Sequence, residues 1–366
     1  MLSVFNDGPP PSCPMSFNLA AHVLARAGDM PDKVALSVLN QNQSEDWLYR
    51  DLEQAVRGTG TGLLKAGLSP GDKVLMRLGN TVDFPIAYLG ALAVGLVPVP
   101  PSSQLPEREC ATILEQLSPK AVLHDPSVAT ASHARHIPVS DLRKMRAYTA
   151  CEWDMGDPER LGYIVYTSGT SGKPRAVGHA HRAIWARQMM FEGWYGLRRD
   201  DRLLHAGAFN WPSTLGTGLM YPWTMGATAL SPMSGTDPKA LAGLLGAHRA
   251  SIFAAAPGVY RKMLKGAPVF DLPDLRHGLT AGEKLSPSVQ EAWHKATGST
   301  LYEAYGMSEC STFISSSPDR PARGQALGHP QKGRRIAIVD PDGAAVAQGA
   351  PGIIAVHRSD PGLMLG

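Results

Sequence analysis

The chain has 366 residues, of which 43% are hydrophobic, and its 35 basic and 32 acidic residues leave a net charge of only +3. A chain of this length can bury large cores, and ordinary domain sizes predict about two to three structural units. Because the charge is nearly balanced and no long basic run occurs, the composition gives no reason to expect nucleic acid as a partner.

The cysteines and the N-terminal residues indicate where in the cell the protein is expected. Cys13, Cys110, Cys151 and Cys310 form no C-x-x-C pair, which argues against a zinc site or a disulfide framework and predicts free thiols. Residues 1–7 lack the basic region and the apolar core of a signal peptide. The longest apolar stretch, 86–101, is interrupted by glycine and proline and falls short of the roughly 20 residues of a membrane span. We therefore expect no membrane span and a cytoplasmic location.

Strand and helix signals alternate through the first hundred residues. This alternation is typical of parallel sheets covered by helices, so we predict an α/β fold of layered sheets. Ser16 is the predicted N-cap of the first helix. The predicted elements are a helix at 16–27, a strand at 33–39, a helix at 51–64, a strand at 73–78, a helix at 83–93 and an extended segment at 96–100.

The segment 163–181 reads Y-I-V-Y-T-S-G-T-S-G-K-P-R-A-V-G-H-A-H. Its first four residues suit a buried strand, and the hydroxyls and glycines that follow let backbone N–H groups turn inward. Two cations complete a loop that could hold a polyanion such as the triphosphate of ATP. The segment contains neither G-x-x-x-x-G-K-[ST] nor G-x-G-x-x-G, and a solvated Gly/Ser turn is the alternative interpretation. The predicted phosphate-binding residues are Thr167, Ser168, Gly169, Thr170, Ser171, Gly172, Lys173 and Arg175.

The run T-S-G-T-S-G-K-P-R resembles the phosphate loop of the acyl-adenylate-forming superfamily, which includes acyl-CoA synthetases, peptide-synthetase adenylation domains and luciferases. The usual form is T-S-G-T-T-G-x-P-K, so Ser171 replaces Thr and Arg175 replaces Lys. Serine keeps the hydroxyl, whereas arginine keeps the charge but presents a planar fork. His179 and His181 follow the loop without a carboxylate or cysteine at metal-ligand spacing, which favours a capping or packing role over a metal site.

The acyl pocket is expected in the segment 205–227. Its aromatic, amide and small residues are similar to the run that borders the carboxylate substrate in medium-chain and aryl acyl-CoA synthetases. An apolar wall with few polar anchors suits a hydrophobic acyl or aryl acid. The alternative is that the aromatic residues belong to the core, and Trp223 is predicted there. The candidate pocket residues are Phe209, Asn210, Trp211, Thr214 and Leu215.

Residues 280–285, T-A-G-E-K-L, resemble the G-G-E-x-L segment that lines the adenine and acyl pockets of the family. The resemblance places Gly282, Glu283 and Lys284 beside the nucleotide through their backbone. The same residues also predict a strand-to-helix turn, with Ser286 capping a helix that begins at Pro287. Both interpretations can hold together.

Residues 303–309, E-A-Y-G-M-S-E, resemble the Y-G-x-T-E signature of the same family. The resemblance implies that the ring of Tyr305 stacks on adenine and that Gly306 allows close backbone approach. It also implies that Ser308 contacts the α-phosphate and that Glu309 binds Mg²⁺. Glu303 and Ala304 complete the expected AMP-binding set, and the resemblance assigns catalysis to Thr167 and Glu309.

The last part of the chain predicts a small antiparallel β element, with strands at 335–340 and 352–357 and a turn at 341–343. The family has a β-barrel subdomain here, followed by a hinge and a C-terminal domain with a catalytic lysine. We expect the hinge and the C-terminal domain to be absent from this chain. We predict two similar α/β subdomains at 1–160 and 161–330, and the start of the β-barrel subdomain at 331–366.

The resemblance implies attack of a carboxylate on the α-phosphorus of ATP, which gives an acyl-adenylate and pyrophosphate. ATP, Mg²⁺, a small carboxylic acid of fatty or aryl acid metabolism and, in the full-length enzyme, CoA are the expected ligands, and a homodimer is one possible assembly. Two alternatives stay open. One is a peptide-synthetase-type adenylation domain, and the other is a truncated protein that binds nucleotide or acyl groups without catalysis.

Overall fold

The computed structural model describes residues 1–40, 43–167, 175–266, 269–324 and 326–366. The strands are β1 Val4–Asn6, β2 Val34–Leu39, β3 Ser44–Leu48, β4 Lys73–Arg77, β5 Val97–Val99, β6 Ala121–His124, β7 His136–Pro138, β8 Leu161–Thr167, β9 Arg175–Ala180, β10 Arg202–His205, β11 Thr228–Pro232, β12 Ile252–Ala254, β13 His277–Ala281, β14 Thr300–Met307, β15 Ser311–Ser315, β16 His329–Pro330, β17 Arg335–Val339 and β18 Ile353–Val356.

The α-helices are α1 Leu19–Val23, α2 Tyr49–Lys65, α3 Asp83–Ala93, α4 Glu107–Leu117, α5 Val139–Met145, α6 Ala183–Ala186, α7 Tyr221–Met225, α8 Leu241–Ala247, α9 Pro257–Met263 and α10 Pro287–Thr297. Short 3₁₀ segments occur at Ala25–Ala27 and Pro238–Ala240, and π-helical segments occur at Phe191–Tyr195 and Thr214–Met220. No helix in the described parts of the chain is both long and apolar enough to span a bilayer.

The largest sheet has nine strands in the order β16-β15-β14-β13-β12-β10-β11-β2-β3. Its central strands, from β14 across to β2, are parallel, while β15 and β3 pair antiparallel with their neighbours. A second, four-stranded parallel sheet has the order β5-β4-β6-β7. The fold is therefore the predicted α/β arrangement of layered sheets and helices.

Two helices pack closely in the first half of the chain because their facing residues are glycines. A Cβ at Gly90 in α3 would lie 2.9 Å from the carbonyl oxygen of Val56 in α2, and one at Gly58 would lie 2.5 Å from the carbonyl of Arg146. Glycine inside a helix costs roughly 1 kcal/mol relative to alanine. Here the missing side chains allow α2 to contact α3 and the segment after α5.

Most elements predicted for the first hundred residues are confirmed within one or two residues, and the bounds of α3 agree with the predicted 83–93. The predicted cap at Ser16 is wrong. The Asn18 side chain caps α1 instead, since its Oδ1 accepts from the backbone N–H groups of Ala20 and Ala21 at 2.9 and 3.2 Å. Its Nδ2 also donates to the carbonyls of Leu92 and Asp154, so a buried amide serves the cap and the packing of neighbouring segments.

Sheet membership crosses the predicted division at residue 160. Strand β2 pairs in parallel with β11 and so adds a piece of the first half to the large sheet. Strands β8 and β9 form a separate antiparallel hairpin. The domain bounds therefore stay a proposal. The antiparallel pair predicted near the end is confirmed as β17 and β18, and β1 joins its edge.

Candidate functional site

Several candidate segments follow neighbouring parallel strands of the large sheet. Parallel pairing of β10 with β12, of β12 with β13 and of β13 with β14 shows that these four strands run in the same direction. The loops that leave the carboxyl ends of such strands meet at one edge, where ligands bind in open α/β sheets. The 205–216 segment, Gly282 and Tyr305 therefore lie at the same edge.

A cavity of about 390 Å³ opens at this edge. Trp211, Gly282, Met307 and Ser308 are exposed lining residues, so they form its mouth. Its buried lining residues form the base, and most of them lie in the two π-helical segments or next to them in sequence. The lining consists of Val165, Tyr166, Arg187, Trp194, Tyr195, Trp211, Pro212, Ser213, Thr217, Tyr221, Ala281, Gly282, Gly306, Met307, Ser308, Ser311 and Thr312.

A second cavity of about 370 Å³ shares Val165, Tyr166, Trp211 and Pro212 with the first. Ala208, Asn210 and residues of the 100–104 segment complete its wall. Both cavities therefore lie beside the end of β8, where the predicted phosphate loop begins. Both walls combine apolar and aromatic side chains with a few hydroxyl or amide groups, as in pockets for small organic ligands.

The predicted phosphate loop connects β8 to β9. Thr167 ends β8, and Arg175, which is exposed, pairs with it in the hairpin ladder. The conformation of the loop and the role of its residues stay predictions, because several of them lie outside the described part of the chain. These are Ser168, Gly169, Thr170, Ser171, Gly172 and Lys173, together with the side chain of Thr167.

Two buried histidines connect the β8–β9 hairpin to neighbouring segments. His179 stacks on Tyr163 with ring centroids 4.9 Å apart, and its Nε2 donates to the carbonyl oxygen of Ser308 at 2.9 Å. The Nδ1 of His181 accepts from the backbone N–H of Leu19 at 3.0 Å. Burial lowers the pKa of His179 to about 4 and that of His181 to about 3, so both rings are neutral at pH 7. The predicted packing role is confirmed, and the contact to Ser308 ties the hairpin to the 303–309 segment.

Glu303 joins the two expected adenine segments. Its Oε1 accepts from the backbone N–H of Leu285 at 2.8 Å, and burial raises the pKa of its carboxyl group. Gly282 has a φ of +93°, a conformation that L side chains rarely adopt. Glu283 is exposed and lies 3.7 Å from Arg261, and Lys284 is also exposed. The predicted helix cap is confirmed, because the Ser286 side chain accepts from the N–H of Val289.

The glycine of the Y-G-x-S-E segment is required by strand pairing. The register of β14 and β15 shifts between Tyr305 and Gly306, and a Cβ at Gly306 would lie 2.2 Å from the carbonyl oxygen of Ser311. Tyr305 is 41% exposed and contacts Phe313 edge to face, so one side of its ring is available for stacking. Ala304, in contrast, is buried.

Glu309 fits the expected magnesium ligand. Its side chain is partly exposed and has no hydrogen-bond or ion-pair partner in the described ranges, while its carbonyl oxygen accepts from the N–H of Met364. Mg²⁺ is usually held by one or two carboxylates plus substrate phosphates, so a single protein carboxylate is enough for such a site. Within the same ranges, no group of three His, Cys, Asp or Glu side chains forms a metal site made of protein ligands alone.

The predicted acyl residues separate into two groups. Asn210 and Trp211 line the cavities, as expected of pocket residues. Phe209 and Leu215 instead belong to the main hydrophobic core, and Thr214 is buried against the backbone at Gly207. Trp223 is fully buried and its indole N–H donates to the carbonyl of Ala35, which confirms its predicted core position. The structure therefore supports only the first group as pocket residues.

Arg187, a buried cation at the base of the larger of these two cavities, was not predicted from the sequence. Its Nη1 donates to the hydroxyl of Tyr221 at 2.7 Å and its Nη2 to that of Tyr163 at 2.9 Å. The available signal was an arginine inside an apolar run, A-I-W-A-R-Q-M-M. The cavity base also contains residues from both π-helical segments, Tyr195 and Thr217, whose hydroxyls lie 3.0 Å apart. Such segments often occur at functional sites.

A model of the AMP-binding enzyme family matches residues 23–366, and the chain belongs to this family. Among curated relatives, it is 27% identical over 330 residues to a 3-hydroxybenzoate–CoA ligase of Aromatoleum sp. (strain CIB). The match covers 84% of this chain and 63% of the relative, so the chain spans less than two thirds of that protein.

Solved structures show the same fold. An acyl-CoA synthetase from Brucella canis superposes with a TM-score of 0.85 at 22% identity, covering 99% of this chain and 70% of that one. The anthranilate CoA ligase AuaEII in complex with anthranoyl-AMP superposes with a TM-score of 0.82 at 21% identity, covering 96% of this chain and 70% of that one. The chain therefore has the fold of the large part of such enzymes.

Proposed function

We propose that this chain is the acid- and nucleotide-binding part of an enzyme that activates a carboxylic acid with ATP as an acyl-adenylate. The observation that carries the proposal is the meeting of three features at one sheet edge. The expected nucleotide residues Gly282 and Ser308 lie at the mouth of the cavity, and its aromatic base lies beneath them. The hairpin that bears the phosphate-loop sequence borders the same cavity through Val165 and Tyr166.

The proposed reaction joins the acid carboxylate to the α-phosphorus of ATP, and the bond from that phosphorus to pyrophosphate breaks. The acid supplies its own nucleophile, so the residues of the chain position the reactants and stabilise charge. The tail of the acid lies in the cavity, and the reacting carboxylate lies at the mouth beside Ser308. Glu309 would hold Mg²⁺, which neutralises charge on the phosphates when bound. The loop cations Lys173 and Arg175 would bind the leaving pyrophosphate.

A subsequent transfer of the acyl group to CoA is the second part of the proposal. The CoA-ligase names of the relative and of the structural neighbours support it. The aromatic base residues Trp194, Tyr195 and Tyr221 further support an aryl or similarly apolar acid, since ring faces stack favourably.

Calorimetric titration of ATP into the chain tests nucleotide binding. We expect Glu309→Gln to weaken binding about tenfold in the presence of Mg²⁺, because hydrogen bonds or ion contacts to charged groups contribute about 1.5 to 3 kcal/mol. With EDTA in place of Mg²⁺ the loss should disappear. Glu115→Gln, at an exposed position of α4, is the matched control and should bind like the unmodified chain. Absence of any ATP binding by the folded chain would contradict the proposal.

Pyrophosphate exchange in the longest available reading frame tests the chemistry. A panel of aryl, short, medium and branched acids should include at least one that stimulates exchange of labelled pyrophosphate into ATP. Stimulation by amino acids alone would favour a peptide-synthetase-type adenylation domain. ATP binding without exchange for any acid would favour a binding protein that lacks catalysis.

A further inference from the structure

Arg187 carries a buried charge without a carboxylate partner. Arg187 is only 7% exposed. In the described chain its guanidinium makes two hydrogen bonds, to the hydroxyls of Tyr163 and Tyr221. A guanidinium has five N–H donors, so three of them lack an acceptor there. No ion pair to Arg187 occurs, and the residues outside the described ranges include neither Asp nor Glu.

The other buried arginines of the chain differ from Arg187. Arg77 also lacks a carboxylate partner, but it donates to the backbone carbonyls of Ser102, Ser103, Leu105 and Ala129. Arg334 is paired with Asp360 at 2.5 Å. Arg77 and Arg334 thus have carbonyl or carboxylate acceptors within the fold, whereas the guanidinium of Arg187 has neither kind of acceptor in the described chain.

Arg187 is one of the buried lining residues that form the base of the cavity. Its buried neighbours in the lining are Trp194, Tyr195, Thr217 and Tyr221, whereas the lining residues near the expected nucleotide are exposed. A second polar group beside it is also unsatisfied, since the hydroxyl of Tyr88 is buried with no hydrogen-bond partner in the described chain. The ring of Tyr88 packs against that of Tyr163, which accepts from Arg187. The base therefore offers a cation and, at Tyr221, a hydroxyl group within aromatic walls.

We propose that the acid activated at this site carries a second carboxylate at its far end, and that Arg187 binds it at the base of the cavity. This inference rests on the proposed function. The planar guanidinium matches a carboxylate in a bidentate geometry, and the pairing would compensate a charge that is otherwise costly to bury. The hydroxyl of Tyr221 accepts from Arg187 and keeps its own proton to donate to the same carboxylate. The reacting carboxylate would then lie at the mouth, beside Ser308.

The test uses unreactive acyl-adenylate mimics in which a sulfamoyl linkage replaces the acyl phosphate. The chain is titrated with benzoyl sulfamoyl-adenosine and with its 2-, 3- and 4-carboxybenzoyl counterparts. We expect at least one carboxylated mimic to bind about tenfold more tightly than the benzoyl mimic, as hydrogen bonds to a charged group imply. In Arg187→Gln this ratio should fall to about one. In the control Arg249→Gln, at an exposed position outside the cavity, it should be unchanged.

Each result separates the two proposals. If the benzoyl mimic binds at least as tightly as every carboxylated one, the inference fails while the proposed function stands. If Arg187→Gln keeps the ratio of the unmodified chain, the inference also fails. Failure of all four mimics to bind would contradict the proposed function itself. The ratio measured on the unmodified chain decides the inference even if Arg187→Gln does not fold.

Discussion

Two buried arginines, Arg334 and Arg187, differ in how their charge is compensated. Arg334 pairs with Asp360, which also accepts from the backbone N–H of Gly362, and its Nη2 donates to the carbonyl oxygen of Thr312. Arg187 lines a cavity to which Thr312 also contributes, and in the described chain its guanidinium donates to two tyrosine hydroxyls and lies over the ring of Tyr221. Arg334 is thus a closed arginine, whose counter-ion is a residue of the protein. Arg187 is an open arginine, which faces a cavity.

The fold supplies a carboxylate counter-ion for Arg334, whereas none pairs with Arg187 in the described residues. Through Asp360 and the carbonyl oxygen of Thr312, Arg334 joins the residues before Gly366 to β15, the strand that follows the Y-G-x-S-E segment. Breaking such a pair should mainly lower stability. The cavity of Arg187 is large enough for a small organic molecule, so changing this residue should mainly alter binding.

Asp360→Asn should have the largest effect on stability. The change leaves the fully buried Arg334 without its counter-ion, and loss of one partner of a buried pair typically costs about 3 to 5 kcal/mol. Urea unfolding followed by circular dichroism measures the change in the free energy of unfolding.

Asp274→Asn is the matched control, because its partner Arg249 is exposed and such surface pairs contribute about 0 to 1 kcal/mol. Should Asp360→Asn cost no more than this control, the contrast between a closed and an open arginine would lose its basis.

The stability of the chain should rise with pH between about 4 and 6.5. His179 and His181 have folded pKa values of about 4 and about 3, whereas an unfolded histidine titrates near about 6.5. The unfolded chain therefore binds more protons in this range, so acidification favours unfolding. The contribution of each histidine is fully present above about pH 6.5 and is lost as the pH falls, with a decrease on the order of 2 kcal/mol per histidine by pH 5.

Unfolding measured at pH 5 and pH 7 tests this expectation. His181→Gln should flatten the dependence, and His357→Gln, at an exposed position, should leave it unchanged. The positive charge of Arg187 also contributes to the low pKa of His179, after burial. An NMR titration should therefore show a higher pKa for His179 in Arg187→Met. An unchanged pKa would mean that the open arginine does not act on the hairpin.

The sequence predicted features that depend on local patterns. The bounds of α3 followed from apolar periodicity and its proline near the start, and the cap at Ser286 followed from a serine before Pro287. The candidate segments around Gly282 and Tyr305 were found from short motifs, and the structure brings both to one sheet edge. Their roles in binding stay predictions.

Features that depend on distant contacts could not be predicted. Arg187 meets Tyr163 and Tyr221, which are 24 and 34 residues away in sequence, and no periodicity indicates these pairs. The cap at Asn18 depends on carbonyls at Leu92 and Asp154, which only the packed structure supplies. Phe209 and Trp211 are two residues apart and equally aromatic, yet one is 1% exposed and the other 39%.

Arg187→Met should have the smallest effect on stability, within about 1 kcal/mol, although the residue is buried. Replacing an incompletely paired buried charge by an apolar side chain of similar length is often neutral or stabilising, because the cost of desolvating the charge is removed. The tyrosine hydroxyls of Tyr163 and Tyr221 lose a donor but keep their own protons. Urea unfolding should therefore separate this variant from Asp360→Asn by at least about 2 kcal/mol. A loss as large as that of Asp360→Asn would mean that the fold itself requires the Arg187 charge, and the cavity would then need no ligand to explain it.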